Sequence, residues 1–259
     1  MDKEPSYIFT STNVAGPGYD KDPDEVGFEG CRCGAPSCGN QCPCIIRFGP
    51  NYDKNGRLMK VEEASVDKQR SDTKPIVECN AMCECGERCS NRIVQNGPKF
   101  ELEVFTTMEK GFGLRACVDI PKSSFVCEYA GEILSKVEAQ RRTKLLGDDD
   151  PNYILVVREF MEGGKLVETI IDPTYRGNKG RFINHSCEPN LSKVPVRVHN
   201  DIPKVALFAL REIHQGEELT YSYGEETAVY NEDGRKRKPC HCGSKSCRQY
   251  LPFDQSLLS

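Results

Sequence analysis

The chain has 259 residues, of which 37% are hydrophobic and 29% charged, and its formal net charge is −4. This length is enough to bury a sizeable core, and no apolar run is long enough to cross a bilayer, so we predict a globular protein without a membrane partner. The slightly acidic balance does not favour a non-specific nucleic-acid binder, for which a strong basic excess is expected.

Residues 1–28 are polar and are predicted to form an N-terminal extension. Their start, MDKEPSYIFT, lacks the apolar core of a secretory signal. The chain also has fifteen cysteines, an odd number. In a secreted protein this abundance would indicate a disulfide scaffold, but the polar start and the odd count favour thiolate–metal sites in a reducing compartment.

Nine of the cysteines lie within residues 29–95, in two clusters separated by a polar segment at 50–75. The clusters read C-x-C-x4-C-x3-C-x-C and C-x3-C-x-C-x3-C, and their members are Cys31, Cys33, Cys38, Cys42, Cys44, Cys79, Cys83, Cys85 and Cys89. Zinc prefers four tetrahedral ligands and binds thiolate well. Nine thiolates satisfy three zinc ions if three sulfurs each bridge two ions. The alternative is a set of unpaired structural thiols.

Residues 96–224 carry the material typical of β-strands. Seven short segments are rich in β-branched or aromatic residues and bounded by Gly, Pro or Asp; they lie at 99–107, 111–117, 124–134, 152–160, 165–172, 194–198 and 204–213. One helix is predicted at 136–146, because Ser135 and Glu138 form a capping box and Gly147 follows the helical run. The predicted class is therefore mostly β with few short helices.

A charged linker at 225–238 precedes the final segment, 239–259, which contains three further cysteines in the pattern C-x-C-x4-C. These are Cys240, Cys242 and Cys247, so a tetrahedral zinc site needs a fourth ligand from elsewhere. Cys117 and Cys127 lie in apolar strand-like segments, where cysteine is usually a small buried hydrophobe. Cys187 is the available thiol, since His241 between two cysteine ligands would be crowded.

These patterns resemble the pre-SET, SET and post-SET modules of protein-lysine methyltransferases. The resemblance rests on KGFG and EYAGEIL within 110–134, on RFINHSCEPN and GEELTYSYG within 181–224, and on the cysteine spacings that flank them. It covers about residues 25–255, with the elements in the family's order. Within the family, VCEYAGE, IDPTYRGN and LPFDQSLL resemble the methyltransferase half of SET–mariner transposase fusion proteins, whose transposase half is missing here. The resemblance implies a SET fold with a pseudoknot, an N-terminal tri-zinc module and a C-terminal zinc segment.

The resemblance also assigns roles to individual residues. S-adenosylmethionine would be bound by Lys110, Gly111, Phe112, Gly113, Tyr153, Arg181, Asn184 and His185, with Phe112 replacing the family's usual Trp. Tyr223 matches the catalytic tyrosine, Tyr221 the position at which Phe or Tyr controls product degree, and Tyr129 an aromatic residue of the lysine channel. Cys187 matches the fourth ligand of the C-terminal zinc.

The implied activity is methyl transfer from S-adenosylmethionine to a lysine of histone H3, mainly mono- and dimethylation, in the nucleus on chromosomes. The likeness to the fusion proteins favours lysine 36, whereas the nine-cysteine module favours lysine 9. The expected partners are the H3 tail and the nucleosome, and the basic run RKRK (235–238) either contacts DNA phosphates weakly or is a solvated linker. Two other readings are a chromatin-binding module without catalysis and an enzyme that acts on non-histone proteins.

Overall fold

The computed structural model describes residues 6–59, 75–147, 150–160, 163–224, 238–252 and 254–258. Most of the polar segment 50–75 and most of the linker 225–238 therefore lie outside the described residues. The described residues form two α-helices, α1 (Pro43–Phe48) and α2 (Lys136–Leu145), and single 3-10 turns at Lys179–Phe182 and Gln255–Leu257. No helix in these ranges is long and apolar enough to span a membrane.

The same ranges contain thirteen strands, so the predicted mostly-β class is confirmed. The strands are β1 (Ile8–Phe9), β2 (Val14–Ala15), β3 (Ile76–Val77), β4 (Leu102–Thr106), β5 (Phe112–Ala116), β6 (Phe125–Tyr129), β7 (Gly131–Ile133), β8 (Leu155–Phe160), β9 (Leu166–Gly177), β10 (Asn184–His185), β11 (Leu191–Arg197), β12 (Lys204–Ala209) and β13 (Thr220–Tyr221). Each of the seven predicted segments contains or overlaps a strand.

The strands form two larger sheets and one hairpin. The outer sheet has the order β1-β9-β7-β2, with β8 also paired to β9. The central sheet has the order β10-β13-β11-β12-β6, with β3 paired to β11, and β4 and β5 form the hairpin. Strand β12 lies inside the central sheet and is buried over Val205–Ala209, which explains why its sequence is a continuous apolar run rather than an alternating one.

Strand β13 produces the pseudoknot that the resemblance predicts. It is inserted between β10 and β11 and runs parallel to both, with Tyr221 opposite His185 on one side and opposite Leu191 on the other. Residues from two distant stretches of sequence therefore share one buried region. This insertion brings the NHSC segment beside the tyrosines of ELTYSYG.

Helix α2 begins as predicted, because the Ser135 hydroxyl accepts a hydrogen bond from the Glu138 backbone N–H at 3.2 Å. The Glu138 carboxylate accepts hydrogen bonds from Arg141 and Arg142. Arg142 also donates to Glu132 of β7 at 2.8 Å and to Asp172 of β9 at 2.7 Å. The helix is thus held to the outer sheet by a largely buried charge network.

Replacing Arg142 by alanine should destabilise the protein by about 3–5 kcal/mol, because Asp172 and Glu132 would remain buried without their cation. Arg141→Ala is the matched control on the same helix. The Arg141 side chain is 60% exposed and pairs with Glu138, so its loss should cost far less stability than the loss of Arg142. Urea unfolding of both variants measures the difference, and equal destabilisation would contradict the proposed role of the network.

Candidate active site and zinc centres

The nine N-terminal cysteines converge on one buried cluster. The Sγ–Sγ distances are 3.6 Å for Cys31–Cys38, 3.7 Å for Cys38–Cys79 and 4.0 Å for Cys44–Cys83. Tetrahedral zinc with Zn–S bonds of about 2.3 Å holds its sulfurs about 3.8 Å apart. All fifteen cysteines of the chain are free. The donor set and its spacing therefore fit zinc, as the sequence predicts.

The cluster divides into overlapping groups of four thiols, each with sulfurs within 4.8 Å of one another. The groups are Cys31, Cys44, Cys79 and Cys83; Cys31, Cys38, Cys42 and Cys79; and Cys38, Cys79, Cys85 and Cys89. Cys31, Cys38 and Cys79 each recur, and the Cys33 sulfur lies 4.0 Å from that of Cys38. If three zinc ions are bound, these recurring thiols would be the ligands that the ions share, and Cys33 would be a ligand of one ion beside Cys38.

Backbone donors stabilise the thiolates of two cysteines in the cluster. Burial raises the pKa of the Cys83 and Cys89 thiols, but backbone N–H groups, including those of Cys31 and Cys38, outweigh it and lower both pKa values. Arg92 places its guanidinium 3.6 Å from the Cys85 sulfur. Because nine thiolates exceed the charge of three zinc ions, a buried cation at this place offsets part of the negative excess.

The C-terminal thiols form a second centre. The sulfurs of Cys187, Cys240, Cys242 and Cys247 all lie within 4.8 Å of one another. Burial raises the pKa of Cys242, but the backbone N–H of Cys187 and the Ser244 hydroxyl outweigh it and lower the pKa to about 5. The structure thus brings the predicted fourth thiol to the C-terminal three. Cys127 is buried in the central core instead, as its apolar surroundings predict.

Three tyrosines form an aromatic cluster beside the pseudoknot. The Tyr221 ring centroid lies 5.9 Å from that of Tyr129 and 5.0 Å from that of Tyr223. The Tyr129 hydroxyl donates to the Tyr153 carbonyl at 2.6 Å, and the Tyr223 hydroxyl donates to the Ile183 carbonyl at 3.1 Å. Burial raises the pKa of all three phenols above their ordinary range. The cluster is therefore uncharged at neutral pH.

His185 joins this cluster to the C-terminal zinc centre. Its Nδ1 accepts a hydrogen bond from the Tyr223 backbone N–H at 3.2 Å, and its Nε2 lies 3.5 Å from the Cys187 sulfur. Burial, assisted by the positive charges of Arg248 and Lys193, lowers the pKa of His185 to about 4. The ring is neutral at pH 7, and since Nδ1 accepts, the remaining proton lies on Nε2 and faces the sulfur.

Asn184 lies at the edge of the hairpin, where two acceptors fix its amide. Its Nδ2 donates to the Phe112 carbonyl at 3.0 Å and to Glu218 Oε1 at 2.9 Å, which leaves its Oδ1 available as an acceptor. Glu218 Oε2 accepts from Lys110 Nζ at 2.5 Å. Glu218 thus links two predicted cofactor residues, although the sequence reasoning did not single it out. Its position in the GEELTYSYG motif, three residues before Tyr221, is the sequence feature that could have indicated a role in the site.

The glycines of the KGFG turn serve different purposes. Gly111 has φ +68, a left-handed conformation that favours glycine. Gly113 lies in β5 opposite Phe105, and a Cβ there would come within 2.8 Å of the Phe105 ring. Both glycines belong to the turn that is predicted to bind the cofactor. At Gly113 the packing of the hairpin itself also requires the missing side chain.

Arg181 occupies a buried aromatic box. It is 4% exposed, and its Cζ lies 4.2 Å from the Tyr153 ring centroid, 4.7 Å from that of Tyr7 and 5.4 Å from that of Phe182. Its Nε is buried and has no hydrogen-bond partner among the described residues. A buried guanidinium with an unsatisfied donor fits an anionic ligand such as the carboxylate of S-adenosylmethionine. Tyr7 was not anticipated from the sequence.

A pseudoknotted β-fold with a buried tyrosine cluster and two cysteine centres defines a SET-domain methyltransferase. Family models agree, since the SET domain matches residues 111–224 and the Pre-SET motif matches residues 1–92. The chain belongs to the SET-domain family of histone-lysine N-methyltransferases, and its methyl donor is S-adenosylmethionine.

Its relatives place it more narrowly within the family. It is 47% identical to the rat histone-lysine N-methyltransferase SETMAR over 97% of this chain and 81% of that protein. It is 42% identical to the Caenorhabditis elegans probable histone-lysine N-methyltransferase set-23 over 98% of this chain and 99% of that protein. The predicted likeness to the methyltransferase part of the SETMAR proteins is confirmed.

Solved structures agree with the fold and the cofactor. The crystal structure of the human SETMAR methyltransferase domain has a TM-score of 0.82 and 43% identity, covering 98% of this chain and 91% of that one. Arabidopsis thaliana SUVH6 in complex with S-adenosylmethionine has a TM-score of 0.79 and 30% identity, covering 97% and 51%. KRYPTONITE, in complex with DNA, an H3(1-15) peptide and S-adenosylhomocysteine, has a TM-score of 0.73 and 33% identity, covering 95% and 47%.

Proposed function

We propose that this methyltransferase adds one or two methyl groups to lysine 36 or lysine 9 of histone H3 within nucleosomes. The observation that carries the proposal is the uncharged cluster of Tyr129, Tyr221 and Tyr223 beside Asn184 and His185. Similarity to SETMAR supports a histone substrate, and the H3(1-15) peptide bound to KRYPTONITE includes position 9 but not position 36. We also propose that the enzyme acts in the nucleus on chromosomes, where its histone substrate lies.

The site favours the reactive form of lysine. An ordinary lysine has a pKa near ~10.4 and is almost fully protonated at pH 7. An apolar channel lined by neutral tyrosines disfavours the ammonium and so lowers the lysine pKa. S-adenosylmethionine, when bound, supplies a methyl group on a positively charged sulfonium. The lysine ammonium first loses a proton to water, and the Tyr223 hydroxyl then accepts a hydrogen bond from the neutral amine and holds the nitrogen lone pair in line with the methyl group. The carbon–nitrogen bond would form as the carbon–sulfur bond breaks, with S-adenosylhomocysteine as the leaving group.

We assign the cofactor end of the site to residues of the hairpin, the pseudoknot and the aromatic box. The orientation of Asn184 supports an acceptor toward the amino-acid part of the cofactor, and Arg181 offers a cation for its carboxylate. Lys110, Gly111, Phe112, Gly113, Tyr153 and His185 complete the proposed set. The Phe112 ring packs edge-on against Phe182 at 5.8 Å, so Phe at this position still has an aromatic partner.

We also propose the domain limits given above and a weak contact between the basic run 235–238 and DNA phosphates. Of the basic run 235–238, the structure describes Lys238, whose ammonium donates to the Asp150 carbonyl at 2.5 Å. The rest of the run lies outside the described residues.

The test is mass spectrometry of recombinant nucleosomes incubated with the protein and S-adenosylmethionine. Parallel nucleosomes carry arginine at position 9 or at position 36 of H3, and Tyr223→Phe serves as the inactive control. We expect one or two methyl groups that disappear with only one of the two arginine replacements. Transfer confined to non-histone proteins would contradict the histone substrate. Cofactor binding without transfer to any protein would favour the chromatin-binding module.

Replacing Tyr221 by phenylalanine should shift the product toward trimethyllysine. The hydroxyl occupies space beside Tyr129 in the buried cluster, and its loss gives a dimethylated amine room to rotate. We expect the trimethylated fraction to rise on the order of tenfold, the effect of one small group in a tight pocket. Mass spectrometry of the product measures it. Tyr250→Phe, at an exposed tyrosine, is the control. An unchanged product distribution in Tyr221→Phe would show that Tyr221 does not limit the degree of methylation.

A further inference from the structure

The segment that precedes the cysteine clusters is built into the catalytic core. Strand β1 pairs with the end of β9, with Ile8 opposite Arg176 and Phe9 opposite Gly177. The Thr10 N–H continues this pairing to the Gly177 carbonyl at 2.8 Å. Strand β2 then pairs with β7 on the other side of the same sheet. The outer sheet therefore fixes the position of the residue just before β1, which is Tyr7.

Tyr7 points its ring at the buried guanidinium of the aromatic box. Its centroid lies 4.7 Å from Arg181 Cζ, and it meets the Phe182 ring edge-on at 6.0 Å. Tyr153 contacts the same guanidinium with its own ring at 4.2 Å. Arg181 is therefore held by the rings of Tyr7 and Tyr153, from two distant parts of the chain, and by that of the adjacent Phe182.

The guanidinium itself lacks a counter-charge among the described residues. The Nη1 donates to the Thr174 carbonyl at 3.4 Å, and the Nε has no partner in this part of the chain. The ion pairs of the described residues do not include Arg181. Burying an unpaired cation costs free energy unless an anion pairs with it. The cation–π contacts hold the guanidinium in place but do not neutralise its charge.

We propose that Tyr7 is a positioning residue for the methyl donor, which it serves by holding Arg181 in place to receive the carboxylate of the cofactor's amino-acid part. The inference rests on the cofactor site proposed above. The N-terminal extension is then part of the cofactor site rather than a separate appendage. Tyr7 acts through its ring and through Arg181. Both the need for an aromatic ring at this position and the dependence of its effect on Arg181 can be tested.

The test uses isothermal titration calorimetry of the full chain with two probes. The first is S-adenosylhomocysteine, and the second is its decarboxylated analogue, which keeps the amine and the adenosine. Tyr7→Ala should weaken binding of the first roughly 10- to 30-fold, the size of a desolvated cation–π contact. Binding of the decarboxylated probe should change less than about twofold. Tyr7→Phe, which keeps the ring, should behave like the unchanged protein.

Two further variants separate positioning from general stability. Phe9→Ala removes an exposed aromatic residue two positions along the same segment and should leave both affinities unchanged. In an Arg181→Met background, Tyr7→Ala should add little further loss, because the residue through which it acts is gone.

The outcomes are distinct. If Tyr7→Ala leaves S-adenosylhomocysteine binding intact, or weakens both probes equally, the inference is wrong even though the cofactor site stands. Failure of the unchanged protein to bind S-adenosylhomocysteine would overturn the proposed cofactor site, and the inference with it. A loss confined to the probe that carries the carboxylate supports the positioning role.

Discussion

Replacing Cys79 by serine should reduce the zinc content from about four ions per chain to about one and unfold the N-terminal module. Its sulfur belongs to all three groups of thiols in the cluster. Its loss therefore removes a ligand from more than one zinc ion. Structural zinc contributes on the order of 10–16 kcal/mol to small domains that fold around it. The buried interior of this module consists largely of its cysteines, which leaves little apolar packing to compensate.

The prediction distinguishes bridging from terminal thiols. Cys33→Ser removes a half-buried thiol at the edge of the cluster, and should cost about one zinc ion with a smaller loss of structure. Cys117 belongs neither to the buried cysteine cluster nor to the C-terminal group of thiols in the described residues, so Cys117→Ser should retain all the zinc. Elemental analysis and circular dichroism of the three variants decide the matter. Equal zinc loss for Cys79→Ser and Cys33→Ser would contradict the bridging assignment.

Tyr223→Phe should lower the rate of methyl transfer at least about 10²-fold, because a displaced nucleophile typically costs that much. Cofactor affinity should change little, since the His185 ring contacts the Tyr223 backbone N–H and not its hydroxyl. The hydroxyl donates to the Ile183 carbonyl, which leaves its lone pairs free to orient the incoming amine. Single-turnover kinetics with a histone peptide and calorimetry with S-adenosylhomocysteine separate the two effects.

The pH dependence provides a second criterion for Tyr223. Burial raises the pKa of its phenol above the ordinary value, so it stays protonated throughout the range in which the substrate amine loses its proton. The rate should therefore rise with pH in both the unchanged protein and the variant, without a fall near pH 10 from tyrosine ionisation. Tyr175→Phe, which removes the hydroxyl of an exposed tyrosine, is the control. Full turnover by Tyr223→Phe would exclude the proposed role.

Several features of the protein could be predicted from the sequence because their causes are local. Helix α2 begins at the predicted cap because Ser135 and Glu138 lie within one turn. The zinc centres were predictable because regularly spaced thiols have few other uses in a reducing compartment. Even the role of Cys187 as the fourth ligand of the C-terminal zinc followed from counting ligands. The pseudoknot, and the approach of Asn184 and His185 to Tyr221 and Tyr223, were implied by the resemblance to the family.

The remaining parts of the site depend on contacts between residues far apart in the chain. Lys110 and Glu218 are separated by 108 positions, and their pairing exists because the hairpin lies against the segment leading into β13. The assignment of bridging thiols needed the distances between sulfurs, which spacing along the chain does not provide. The requirement for glycine at Gly113 arises from the Phe105 ring across the hairpin.

The contrast between Cys187 and Tyr7 shows where the division lies. The sequence determined that a fourth thiol must join Cys240, Cys242 and Cys247, because a tetrahedral ion with three ligands is incomplete and few thiols remain. Only the tertiary structure decided that Tyr7 meets Arg181. A single aromatic residue in a polar extension has no neighbouring sequence pattern from which its contact could be predicted. Chemistry that requires a fixed number of ligands can be read along the chain, whereas packing around a buried charge depends on how the sheets bring distant residues together.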